Sequence, residues 1–160
     1  MLKTITDSLL RPLLICSALL MLSLASAAPL AAQESRRCRI TVLEILADKS
    51  GQGLDSELKA LKKDLDKLNY TTYHLSNSYQ LNASFSQPSS LTLLGENKLT
   101  LTAEEVEDNG KIRLKVKLAP RDSKEKSIEM VTRVADGGMF LLGGPSHGDG
   151  VLILAVSVKM

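Results

Sequence analysis

Residues 111–118 alternate without a fault: Ile112, Leu114, Val116 and Leu118 are apolar, while Lys111, Arg113, Lys115 and Lys117 are cationic. A period of two held over eight residues fits a strand with one face in a core and the other in water. A helix would spread the same apolar positions around its circumference, so the chain must contain a sheet covered on one side. The neighbouring segments supply it. Asn109-Gly110 offers the positive φ angles of a tight hairpin between Val106 and Ile112. Residues 90–94 and 98–103 read as strands flanking a turn at Gly95, Glu96 and Asn97. After a charged loop at 119–126, residues 126–134 alternate again, with Ile128, Met130, Thr132 and Val134 set against Glu129, Val131 and Arg133.

Before this series the pattern changes. Residues 39–47 are β-branched or apolar at nearly every position, which suits a strand covered on both faces. A loop follows at 48–53. Leu54, Leu58, Leu61, Leu65 and Leu68 then recur at helical spacing, with Asp55 and Glu57 in the first turn and Asn69 at the close. The leucine seam is too short for a coiled coil and is expected to pack on the chain's own sheet. Residues 70–75 return to a period of two, and 76–90 read as an edge strand ending at Pro88. The fold class expected is α+β, an N-terminal β-α-β unit followed by an antiparallel, sandwich-like sheet. It fills one domain over residues 38–160.

The first 27 residues read as a secretory signal. Lys3 and Arg11 form a basic start, residues 13–24 an apolar core, and Ala25-Ser26-Ala27 a small-residue cleavage site. An uncleaved anchor is the competing reading, because residues 13–32 carry no charge. Residues 28–37 read as a flexible mature terminus. Cleavage takes Lys3, Arg11 and Asp7 from the 20 basic and 18 acidic residues, leaving 18 and 17. A net charge near +1 gives no case for a nucleic-acid partner, and no stable membrane insertion is expected after cleavage. Cys16 leaves with the signal, so Cys38 has no partner for an intramolecular disulfide and reads as an inert thiol.

Chemistry-bearing residues gather after an Asp136-Gly137 turn and the apolar residues 139–142. Gly143, Gly144, Ser146, His147 and Asp149 lie in a glycine-rich stretch ahead of the apolar run 151–158. It lacks the lysine and hydroxyl of a phosphate loop. Ser146, His147 and Asp149 stand too close in the chain for a catalytic triad, whose members normally come from distant segments. His147 and Asp149 are two metal ligands at most. The stretch is expected to be a connector between strands and a candidate interaction loop, with no catalytic, cofactor-binding or metal residue and no cofactor. The consecutive Glu104 and Glu105 are expected to point to opposite sides of a strand, or to sit in a turn, and so make no acid/base pair.

Three segments carry a resemblance: residues 99–102, then 106–116 with Asn109-Gly110, then 132–144 with Asp136-Gly137 leading into an apolar strand ended by Gly143-Gly144. Over residues 95–144 this succession resembles the β-domain of bacterial secretins, the outer-membrane ring channels of type II secretion and type IV pili. The resemblance implies a cell-envelope protein that shares this sheet, and it carries over no catalytic residue. The function expected is a non-enzymatic exported protein, periplasmic or associated with the outer envelope, that binds another envelope protein or serves assembly in a secretion or pilus system. The alternative is a small periplasmic hydrolase or ligand-binding protein using residues 143–150.

Overall fold

The computed structural model describes residues 36–121 and 126–160. The expected signal, nearly all of the terminus that follows it and the middle of the charged loop lie outside the described residues. The fold is α+β, a small N-terminal unit of strands and helix followed by mostly antiparallel sheets. One sheet joins β1 (Arg37–Asp48), β2 (Gly53–Leu54), β3 (Thr72–Ser84), β8 (Met139–His147) and β9 (Gly150–Lys159) in the order β2-β3-β1-β9-β8. The other joins β4 (Ser89–Thr92), β5 (Lys98–Val106), β6 (Lys111–Ala119) and β7 (Ile128–Ala135) in sequence order. The two-residue contact of β2 with β3 is parallel, and the remaining pairings are antiparallel.

The alternation of β6 does what its period demands. Ile112, Leu114, Val116 and Leu118 are buried between the sheets with Leu99 and Leu101 of β5. From the five-stranded sheet, Ile40 and Val42 of β1 and Leu154, Val156 and Val158 of β9 meet them. The alternate residues Ile45, Ala47, Ile153 and Ala155 enter a second core on the opposite face, against Leu58, Leu61 and Leu65. The five-stranded sheet is therefore the middle layer, which explains why β1 and β9 are apolar at consecutive positions. Burying a leucine in such a core contributes roughly 1.5–3 kcal/mol.

The helix is shorter than the leucine spacing suggests. A 3₁₀ segment, Ser56–Leu61, passes into a single α-helical turn, Lys62–Leu65, named α1 here. Tertiary bonds claim both ends. Leu54 is drawn into the pairing with Tyr73, and the Asp55 carboxylate accepts the Leu75 N–H at 2.8 Å. The Tyr73 hydroxyl donates to the Leu65 carbonyl at 2.8 Å, satisfying an end the helix would otherwise extend to cover. The step of three from Leu58 to Leu61 fits the 3₁₀ period, and the step of four from Leu61 to Leu65 fits the α period.

Two strand boundaries also differ. Residues 72–84 form one strand, with Ser76 the extra residue of a bulge opposite Glu44 and Ile45. Residues 143–147 are strand rather than connector. The connection to β9 is a two-residue turn, because His147 pairs with Gly150 and only Gly148 and Asp149 lie between them. Gly148 takes φ 57°, the glycine-first arrangement of a type II′ hairpin.

Candidate functional site

Among the residues of the glycine-rich stretch, the fold separates those that carry chemistry. Ser146 and Asp149 are exposed, whereas His147 is half-buried. Gly143 and Gly144 lie at a bulge, where the pairing with β9 slips between Gly143 and Ser146. A methyl group on Gly144 would stand 3.1 Å from the Leu152 carbonyl oxygen, so this glycine permits close packing. His147 borders a cleft of about 430 Å³ with Gly95, Asn97, Pro120, Arg121 and Ser146. A methyl on Gly95 would lie 3.3 Å from His147 Nδ1. Asn97 is buried beneath the cleft, donating to the Leu94 carbonyl at 2.7 Å and accepting the Arg121 N–H at 3.2 Å. Arg121 in turn pairs with Glu96 at 3.1 Å. The cleft thus brings together a histidine, an arginine and a fixed amide. Neither a carboxylate orienting His147 nor a serine hydroxyl bonded to it, the partners a catalytic triad uses, occurs among the described residues.

His74, the other histidine, sits on β3 with Nδ1 3.2 Å from the Asp55 carboxylate. The Leu75 N–H chiefly, and His74 after it, hold the Asp55 carboxyl below its ordinary range. His74 is exposed and Asp55 half-buried beside the 3₁₀ segment, with no serine or cysteine bonded to them among the described residues. No cluster of three potential metal ligands occurs among the described residues. Cys38 is buried, and burial pushes its thiol pKa up, which makes it a poor nucleophile.

One carboxylate escapes a reading by sequence pattern. Glu44 lies in the apolar run of β1 yet is fully buried. Its Oε1 accepts the Leu94 N–H at 2.6 Å, and its Oε2 accepts from Asn77 at 2.9 Å and from the Tyr79 hydroxyl at 3.1 Å. The Leu94 bond ties the five-stranded sheet to the turn between β4 and β5, while Asn77 and Tyr79 hold the carboxylate from β3 of the same sheet. Burial, with Glu44 beside it, raises the Tyr79 pKa. The arrangement is a clamp between the two sheets. The signal available in the sequence is a lone glutamate at an inward position of an apolar strand.

The outer face of the four-stranded sheet is rich in cations, of which Arg113, Lys115 and Arg133 are paired. Lys115 pairs with Glu129 at 2.7 Å, and Arg133 donates to Glu107 at 2.6 Å. A bulge between Ala103 and Glu105 turns Glu104 and Glu105 toward the same arginine, contrary to a regular strand, in which neighbours diverge. Arg113 Nη1 donates to Glu105 at 3.3 Å, and its Nε lies 3.0 Å from Glu104 without hydrogen-bond alignment. The Arg133 and Lys115 bonds hold Glu107 and Glu129 below the ordinary carboxylate range and Lys115 above the ordinary lysine range.

The sheet edges differ sharply. β2 is two residues long and β4 four, and the outer side of β3 beyond β2 is broken by the Ser76 bulge. β8 carries its own bulge and Pro145. These devices discourage pairing with another chain. β7 has none of them. It runs eight residues in continuous register with β6, and its outer side has no neighbouring strand among the described residues. Ile128 and Val131 on it are 39% and 44% exposed. No helix of the described residues is long and apolar enough to cross a membrane. No protein-family model matches the chain, and no curated protein or solved structure matches it, so what the molecule does is read from its own surface.

Proposed function

We propose that this chain is a non-enzymatic exported protein of the cell envelope that binds an envelope protein by strand addition at β7. The observation that carries this reading is the contrast among edges: β7 alone, among the described strands, combines length, unbroken register and exposed apolar residues, while the other edges are short or bulged. An added strand would gain main-chain hydrogen bonds along β7 and rest its side chains against Ile128 and Val131. The reading agrees with the secretory pattern of residues 1–27 and with the secretin-like succession of strands over 95–144, which together point to assembly in a secretion or pilus system.

The test replaces Val131 with Lys, a charge of the kind natural edges use against pairing. Val131 is exposed, so the substitution is expected to change stability by no more than about 0.5 kcal/mol. Wild-type protein should recover a partner from envelope extracts, and Val131→Lys should lose it with the circular-dichroism spectrum unchanged. A wild-type protein that sizes as a monomer and recovers nothing would end the proposal.

A second reading, ligand binding or hydrolysis at the His147 cleft, is favoured by the convergence of His147, Asn97 and Arg121 on one concavity. It predicts that His147→Ala abolishes a screened binding or hydrolytic activity while leaving the melting temperature unchanged. The β7 proposal predicts that this variant still captures the partner.

A further inference from the structure

The residues along β7 form a charge-reversed palindrome. On the outer face lie Glu129, Val131 and Arg133, and on the inner face Ile128, Met130, Thr132 and Val134. If a second copy of the strand pairs antiparallel with the first, the two-fold axis stands perpendicular to the sheet and keeps each face on its own side. Opposed residues must then share a face, so their numbers must sum to an even total.

One such register opposes Val131 to Val131 of the other copy. It sets each Glu129 against the other copy's Arg133, twice by symmetry, with Ile128 against Val134 and Met130 against Thr132 on the inner face. The same register places Lys126, just before the strand, against Asp136, just after it. Sliding the pairing by one step of the pleat in either direction sets Glu129 against Val131 or Ala135 and loses these matches. The groups retain capacity for a further partner. Glu129 meets Lys115 through Oε1 alone, and Arg133 reaches Glu107 through Nε, leaving its terminal N–H groups.

We infer that β7 pairs with β7 of a second copy of this chain, centred on Val131, to give a two-fold dimer in which the two four-stranded sheets become one. The inference rests on β7 being the interaction edge and names the occupant of that edge. Opposite charges directly across a strand pair stabilise it, and like charges destabilise it. An isologous interface of this kind is self-complementary by construction.

Sedimentation of the full chain tests it with two charge reversals and their mixture. The wild type should show a concentration-dependent dimer. Glu129→Arg alone sets the new arginine of each copy against the other copy's Arg133, and Arg133→Glu alone sets the new glutamate against the other copy's Glu129. Each single variant should therefore weaken the dimer by about tenfold. An equimolar mixture of the two single variants restores both opposed pairs and should recover dimer, which neither misfolded variant could do. The double variant Glu129→Arg with Arg133→Glu should dimerise as the wild type does. A wild type that stays monomeric at every concentration, or single variants that associate as it does, would overturn the inference. If that monomer still captures an envelope protein and Val131→Lys abolishes the capture, the inference falls while β7 stands as the interaction edge for a different chain.

Discussion

At the scale of single residues, Glu44 is the position where the molecule departs furthest from its apolar pattern. A carboxylate taken wholly out of water is tolerated there because three donors converge on it. Glu44→Ala leaves the Leu94 N–H and the Asn77 amide without their acceptor, and should cost about 2–4 kcal/mol in a urea unfolding curve. A loss under about 0.5 kcal/mol would show that the clamp contributes nothing. The glycines of the 143–150 stretch divide by the same kind of reasoning. A methyl on Gly150 would lie 2.6 Å from the Ala47 carbonyl oxygen, whereas nothing stands within 4 Å of one on Gly143. Gly150→Ala is therefore expected to destabilise by about 1–3 kcal/mol and Gly143→Ala to be near neutral, both read from denaturant midpoints.

At the scale of elements, the sequence displays what its periodicity controls. The alternation of residues 111–118 and the doubly covered strand at 39–47 each follow from one local pattern and stand in the fold as expected, while the hairpin closes where Asn109-Gly110 places it with Gly110 alone of that pair taking a positive φ, 76°. Partner choice is not legible in this way. β1 takes β9, more than a hundred residues away in the chain, as a neighbour, because two strands apolar on both faces fill the middle layer together. The glycine-rich stretch differs from expectation for a related reason. Its glycines suggest a flexible connector, but they allow a bulged strand to lie close to β9 and a two-residue turn to close the hairpin. The helix keeps its leucines and loses its length, since Tyr73 and Asp55 terminate it through contacts that no window of sequence displays. Its packing is nevertheless essential to the second core. Leu65→Ala should cost about 2–5 kcal/mol by thermal or urea unfolding, and an effect near zero would mean that the helical segment only decorates the sheet.

At the scale of the whole molecule, net charge conceals how the charges are placed. Arg113 and Lys115, two of the four cations of β6, pair with carboxylates of β5 and β7, and Arg133 of β7 pairs with one in the β5–β6 turn, so the surface that reads as basic in sequence is partly neutralised. Four carboxyls, Asp48, Asp55, Glu107 and Glu129, are held below their ordinary values in the fold. Groups depressed in this way contribute stability that is present above their unfolded values, near pH 4, and is lost as pH falls through the folded ones. Stability should accordingly decline below about pH 4, and Asp55→Asn should lower the plateau near neutrality and flatten that limb, so that the two curves converge in acid. An unchanged acid limb would show that Asp55 contributes nothing to acid stability.

The proposed function confines association to one edge, β7. Residue-resolved amide hydrogen exchange of the wild-type protein, compared between dilute and concentrated samples, reports on all edges at once. Amides on the open side of β7 should exchange quickly in dilute solution and become protected on concentration, while those of β4 and β8 do not change. Protection that appears at β4 or β8 instead, or β7 amides indifferent to concentration and to envelope extract alike, would contradict it.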